Sequence, residues 1–333
     1  MSDTKEDYIQ PIGLDVGTSR IVAARKTEKG YKYDAQLNAF LTLPYSKLAA
    51  SLLQKEHVFH EVRDDELVVV GNDAEKFAEV FHVDVRRPMA NGVLNPTESH
   101  SLSVIRRIIT ELIGKAAVEG QKVFFSVPAP SATGDLGLTY HAASIRHILA
   151  ELNYTATPIE EGLSVVFGEL SASDYSGIGI SCGSGLCNVC LAVLAVPVFS
   201  FSVPKAGDYI DAQAALVTGE LATRMRVQKE QSCSLNGLLG DRVNNALTIY
   251  YREMITNLVD NLRAQVSTSH RLPRFSQSVP LVLSGGSAMP KGFLEQFTTA
   301  LNASDFPIKL SEIRLSPDPL NATARGALMA ALC

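Results

Sequence analysis

Long basic runs, long apolar runs and a disulfide-scale supply of cysteine are all missing from this chain. Lysine and arginine total 30 against 35 aspartates and glutamates, a net charge of −5, so bulk electrostatics give no reason to expect a nucleic-acid partner. The most apolar stretch, residues 189–201, is too short to span a bilayer and is interrupted by Pro197. Residues 1–10 are polar and mixed in charge, unlike a secretory signal. The expectation is a cytoplasmic protein with no transmembrane segment. Five cysteines in 333 residues do not make a disulfide framework. Low-complexity segments and short repeats are also lacking. What remains, 46% apolar and 20% charged residues, describes a globular chain long enough for two domains.

Three cysteines nevertheless form a pattern. Cys182, Cys187 and Cys190 have C-x4-C-x2-C spacing, part of a plant-type iron–sulfur signature, with Cys233 or Cys333 left as a distant fourth ligand. The flanking residues argue otherwise. Segments 177–181 and 188–196 alternate as two strands around Gly183-Ser184-Gly185, and buried cysteine is common in such strands as a small apolar residue.

The most informative stretch is residues 12–22, I-G-L-D-V-G-T-S-R-I-V. An apolar strand enters a turn of Asp15, Gly17, Thr18 and Ser19, and a second strand leaves it. Such a turn converges backbone N–H groups on an anion, since Gly17 puts no side chain in the way. Thr18 and Ser19 add hydroxyl donors, and Asp15 suits a hydrated Mg2+ beside phosphates. Residues 180–189, I-S-C-G-S-G-L-C-N-V, repeat the design with Gly183, Ser184 and Gly185. A third turn, L-V-L-S-G-G-S-A-M-P-K-G at 281–292, opens a buried strand onto Gly285 and Gly286 and then a helix. Each alone reads as an ordinary glycine turn. Three in this order do not.

Strand and helix patterns alternate, which favours an α/β class. Strands are expected at 12–15, 21–25, 67–70, 123–127, 177–181, 189–194, 198–203 and 281–284. Helical periodicity marks 101–117, 139–152, 162–170, 211–230, 242–266 and 322–332. Segments rich in proline, serine and aspartate lie near 126–135 and 267–280. Both halves begin with strand, glycine turn and strand, which hints at duplication.

The order of these motifs resembles the ATPase superfamily of actin, heat-shock chaperones and sugar kinases. Within it, the likeness is to bacterial actins of the MreB and magnetosome-filament (MamK) type. R-R-P-M-A-N-G-V-L at 86–94, F-F-S-V-P-A-P at 124–130 and P-I-E-E-G-L-S-V-V-F-G at 158–168 are similar to segments of those proteins. So are K-A-G-D-Y-I-D at 205–211 and D-P-L-N-A-T-A-R-G-A at 318–327. The resemblance implies an actin-like ATPase fold, two ribonuclease-H-like domains flanking a nucleotide cleft. Domain I would be 1–157, with a small subdomain at about 27–66, closed by a carboxy-terminal helix at 317–333; domain II would be 158–316. It further implies ATP or ADP with Mg2+ as cofactors, a filament of the chain with itself, and regulatory or cargo proteins.

Carried over residue by residue, Asp15, Gly17, Thr18 and Ser19 would form the first phosphate loop and Ser181, Gly183, Ser184 and Gly185 the second. Gly207, Gly285, Gly286 and Ser287 would wall the adenosine, and Glu161, with Asp15, would position water as the catalytic pair. Glu220 and Arg224, at i and i+4, either reach the nucleoside or form an exposed ion pair.

Three departures stand out. Ser181 occupies the place of an aspartate that organises metal and water, which predicts slow hydrolysis unless Asp208 or Asp211 supplies the charge instead. Gly162 replaces a proline. Only residues 217–240 separate the A-G-D step from the long helix, so the second small subdomain is expected to be reduced. A folding chaperone would need a substrate-binding domain beyond the nucleotide domain, and a sugar kinase sugar-specific insertions. A non-hydrolysing nucleotide-binding scaffold remains the alternative to a filament-forming ATPase.

Overall fold

In the computed structural model of the chain, residues 9–58, 60–81, 83, 85–131, 137–236, 241–269 and 277–333 are described. Parts of the segments 1–10, 126–135, 217–240 and 267–280 named above lie outside them. The chain opens with β1 (Ile12–Val16), β2 (Arg20–Thr27) and β3 (Gly30–Leu37). A small unit follows, made of β4 (Phe40–Pro44), α1 (Lys47–Lys55), β5 (His60–Arg63), β6 (Glu66–Val70) and α2 (Asn72–Phe81). Next come the short hairpin β7 (Met89–Ala90) and β8 (Val93–Leu94), then α3 (Ser101–Ile113), β9 (Gln121–Val127), α4 (Leu138–Glu151) and β10 (Tyr154–Glu160). After α5 (Glu161–Glu169) run β11 (Gly177–Cys182), β12 (Cys187–Val193), β13 (Val196–Val203), α6 (Gly207–Thr218), α7 (Ala222–Ser232) and α8 (Arg242–Thr268). The chain finishes with β14 (Val279–Ser284), α9 (Phe293–Asn302), β15 (Leu310–Leu315) and α10 (Ala322–Leu332).

Two five-stranded sheets carry the same topology. In the first, β1, β2 and β3 form an antiparallel meander, and β9 and then β10 add parallel on the far side of β1. In the second, β11, β12 and β13 form the meander, and β14 and β15 add parallel beside β11. The order β3-β2-β1-β9-β10 is thus repeated as β13-β12-β11-β14-β15, which supports the duplication hinted at by the paired glycine turns.

Each sheet buries both faces. Ile12, Leu14, Val123 and Phe125 pack under Ile105, Ile108, Ile145 and Leu149 of α3 and α4. Ile178, Ile180, Leu281 and Leu283 pack under Leu247, Tyr251, Leu258 and Phe297 of α8 and α9. The inner faces are covered by α10, whose Ala324 and Leu328 meet Val22 and Ala24, and by α5, whose Val165 and Val166 meet Cys190 and Val282. The helix that leaves one sheet therefore packs on the other, and the two helices touch.

Glycine permits that closeness. A Cβ on Gly13 of β1 would lie 2.2 Å from the Ala324 carbonyl oxygen, and one on Gly179 of β11 would lie 2.5 Å from that of Gly162. These two glycines stand at matching places, two residues before Asp15 and Ser181 respectively.

Two expectations shift. The small unit is built on Phe40–Pro44, His60–Arg63 and Glu66–Val70 with helices reaching Phe81, later than 27–66, because Gly30–Leu37 pairs along β2 in the main sheet. The helix expected over 211–230 is two, because Gly219 caps α6 in the left-handed region at φ 74° and α7 restarts three residues on. Between α6 and α8, α7 is the one helix among the described residues, in keeping with a reduced subdomain. The long helix is stopped at its start by Asp241, whose carboxylate accepts from the Val243 and Asn244 N–H groups at 2.9 Å.

Candidate functional site

A cavity of about 430 Å3 opens where the carboxyl ends of β1 and β11 face each other. Both hairpin turns at its floor close alike. Gly17 N donates to Arg20 O, and Gly183 N donates to Leu186 O, each at 3.0 Å. They nearly touch: a Cβ on Gly185 would lie 2.5 Å from Thr18 Oγ1, which itself accepts from Gly92 N at 3.1 Å. The third turn seats against the second, with Ser287 Oγ donating to Gly183 O at 2.8 Å. Gly207 N also donates to Gly183 O at 3.2 Å, and Asp208 N to Ser184 O at 2.7 Å, which pins the start of α6 to the same turn.

Two carboxyl groups face the cavity. Asp15 is the next-to-last residue of β1 and accepts from Ser126 Oγ at 2.7 Å, while Val16 N donates to that same oxygen at 2.8 Å. Glu161 begins α5 and accepts from Ser181 Oγ at 2.9 Å. Burial lifts the Asp15 carboxyl above the usual range, and the Ser126 bond opposes the rise. Glu161 is lifted further, first by burial and then by the Asp15 charge, with Ser181 and Asn188 drawing it partly back. Two half-buried acids whose charges disfavour each other suit a divalent cation, which would stabilise both as carboxylates.

Asp15, Gly17, Thr18, Ser19, Glu161, Ser181, Gly183, Ser184, Gly185, Gly285, Gly286 and Ser287 all line the cavity. Gly207 lies just behind that wall, its carbonyl accepting from Lys229 Nζ at 3.0 Å. Glu220 and Arg224 are not in the lining; they pair with each other at 2.7 Å on the outer surface. The break at Gly219 rotates α7 so that Arg226, Lys229 and Glu230 face the cavity instead. Lys229 is buried against Asp211 at 2.7 Å, and Arg87 holds Asp208 at 2.7 Å. Both acids named as substitutes for the Ser181 position are thus matched to a cation already. Arg226 reaches across the opening to Glu75 of α2.

The sequence did not single out Ser126, Arg87, Arg226 or Lys229. Ser126 is visible in the sequence only as part of F-F-S-V-P, and Lys229 lies within the expected 211–230 helix, which breaks at Gly219. Cys182 and Cys187 are direct partners across β11 and β12, whereas Cys190 faces the opposite side of the sheet, toward α5. The three thiols do not converge, and no group of side chains able to hold a metal cluster occurs among the described residues.

A family model described as Volactin matches residues 11–331. The chain belongs to the Volactin family. This Volactin-family chain is 24% identical over 230 residues to the actin-like protein MamK of Magnetospirillum gryphiswaldense, across 67% of its own length and 57% of the relative's. It is 23% identical to MamK of Paramagnetospirillum magneticum, across 67% and 59%. It thus spans less than two thirds of these curated relatives. Among solved structures it matches the MamK double helical filament with a TM-score of 0.75 at 19% identity, covering 97% of this chain and 98% of that one. It matches MreB 5 of Spiroplasma citri bound to AMPPNP with a TM-score of 0.66 at 14% identity, covering 95% and 94%. The Volactin-family chain therefore has the actin-like ATPase fold. Among its described residues no helix is long and apolar enough to cross a membrane.

Proposed function

We propose that the chain is a filament-forming, actin-like cytoskeletal protein that binds ATP with Mg2+ between its two sheets and hydrolyses it slowly. The observation that carries this is the convergence of three glycine turns and two half-buried acids on one cavity. The turns of residues 17–19 and 183–185 would receive phosphates on backbone N–H and hydroxyl groups, and Gly285, Gly286 and Ser287 would wall the nucleoside. Asp15 would hold Mg2+, whose role when bound is to neutralise phosphate charge. Glu161 would orient a water and accept its proton at Oε1 or Oε2. Domain I would hold the first sheet with the closing helix and domain II the second sheet, the boundary following β10 at Glu160 rather than 157, so that the cavity would lie between them. That structures of MamK and MreB 5 relatives include a filament and an AMPPNP complex supports self-assembly and nucleotide binding here. The cytoplasm is the proposed location.

Ser181 favours one other reading, a nucleotide-binding scaffold that does not hydrolyse. Calorimetry with ATP and Mg2+ tests binding, and Asp15→Ala should weaken its metal-dependent part; folded protein that binds no ATP overturns the proposal. Single-turnover phosphate release separates slow hydrolysis from none.

A further inference from the structure

The turn joining β12 to β13 is built against its own sterics. Val193 pairs with Val196, leaving Leu194 and Ala195 as a two-residue loop with φ of 51° and 65°. Such loops favour Asn-Gly, because a Cβ is penalised in the left-handed region. Asp174 and Tyr175 beside it are left-handed too, and they brace the tip: Ala195 N donates to Tyr175 O at 3.2 Å and Leu194 N to Ser176 Oγ at 2.8 Å. The result projects Leu194 into solvent, 67% exposed, next to exposed Val196. Neither packing nor backbone preference accounts for a leucine there.

A matching surface sits at the other end of the same half. Leu216, Val217 and Leu221 ring the Gly219 corner between α6 and α7, with Leu216 76% and Leu221 68% exposed. The 27 residues of α8 span the separation, about 40 Å at 1.5 Å per residue. Arg242 at its start donates to Val217 O at 2.6 Å, and Glu253 pairs with Lys205 near the cleft. Arg263 near its end approaches Ser304 O at 3.5 Å, just before β15. The Leu194 tip shares that end, because β15 starts there and β12, antiparallel to β11, finishes there. Charges complement: exposed Asp174 flanks the tip and exposed Arg242 flanks the corner.

We propose that these surfaces are two sides of one contact, in which Leu194 and Val196 of one copy seat on Leu216, Val217 and Leu221 of the next, with Asp174 facing Arg242. The proposal rests on the filament assembly proposed above and names the surfaces that make it. Patches at opposite ends of α8 meet end to end as a heterologous contact, which propagates head to tail when its rotation does not close a ring.

The test separates folding from docking. Leu194→Asn combined with Ala195→Gly relieves the turn and removes the apolar tip. The double variant should melt no lower than wild type and bind ATP as tightly. Its ATP-dependent pelleting should require at least about tenfold more protein, the worth of one buried leucine. Leu221→Asp should lose pelleting likewise. An equimolar mixture of the two, above the wild-type assembly concentration, should give one-to-one dimers in sedimentation and no filaments, since each keeps one intact face. Wild type that pellets together with a double variant that pellets at the same concentration overturns the contact, as does a mixture that stays monomeric. Wild type that never pellets instead removes the filament proposal itself.

Discussion

The Ser181 hydroxyl donates to Glu161 Oε2 at 2.9 Å, from the position in the second sheet that Asp15 holds in the first. Register supports the equivalence: Ser181 pairs with Ser284 on the neighbouring parallel strand, and Asp15 lies beside Ser126. One half of the duplicated scaffold presents an acid at this point and the other presents a donor that restrains an acid.

Ser181→Asp would restore a third carboxylate beside Glu161. With Mg2+ present, single-turnover phosphate release should rise about tenfold or more, the usual scale for one positioning group. Without metal the same variant should melt lower, because it adds an acid beside Asp15 and Glu161, whose charges the site already disfavours. Release unchanged from wild type would show that this position does not limit the chemistry.

The raised acids also set a pH dependence. Asp15 and Glu161 titrate higher in the folded chain than unfolded, so the unfolded state ionises first as pH rises. Their contribution to metal-free stability is therefore largest below the ordinary carboxylate range and falls until the folded groups ionise. Asp15→Asn should melt above wild type at pH 8 by an amount worth about 1 kcal/mol or more, and show no such gain at pH 4. Mg2+ favours the ionised pair, so its binding should tighten with pH and release protons, measurable by calorimetry in buffers of different ionisation enthalpy.

Two ion pairs cross the mouth of the cavity, Arg87 with Asp208 and Arg226 with Glu75. Cutting either ties the sheets together less firmly. Glu75→Gln should raise the dissociation rate of a fluorescent ATP analogue several-fold in stopped-flow displacement and also lower the melting temperature, since it leaves the buried Arg226 guanidinium without its carboxylate.

The contact between α5 and α10 has no room to spare. A Cβ on Gly326 would lie 1.7 Å from the Ser164 carbonyl oxygen, and one on Gly168 would lie 2.9 Å from that of Ala322. Gly326→Ala should destabilise by about 3 kcal/mol or more in denaturant unfolding, at the upper end of overpacking costs, because backbone rather than a side chain must move.

Much of this was legible in the residues. The glycine turns announced Asp15, Thr18, Ser184 and Gly285, because close backbone approach leaves a local mark in sequence. The central strands read clearly, since burial on both faces makes them continuous apolar runs. Gly30–Leu37 was not legible: Gly-Tyr-Lys-Tyr-Asp-Ala-Gln-Leu is a half-exposed edge strand whose pattern depends on β2. Lys229 and Arg226 were hidden because their role follows from how α7 restarts after Gly219, which helical periodicity alone does not reveal. The Arg226–Glu75 pair joins residues 151 apart and has no local signature.

Sedimentation paired with electron microscopy, run with ATP, with ADP and without nucleotide, tests the central claim most directly. Nucleotide held between the two sheets should close them and favour assembly, so ATP with Mg2+ should give pelletable filaments while nucleotide-free protein stays in the supernatant. Only monomers in ATP, at concentrations well above those of a cell, would contradict the account.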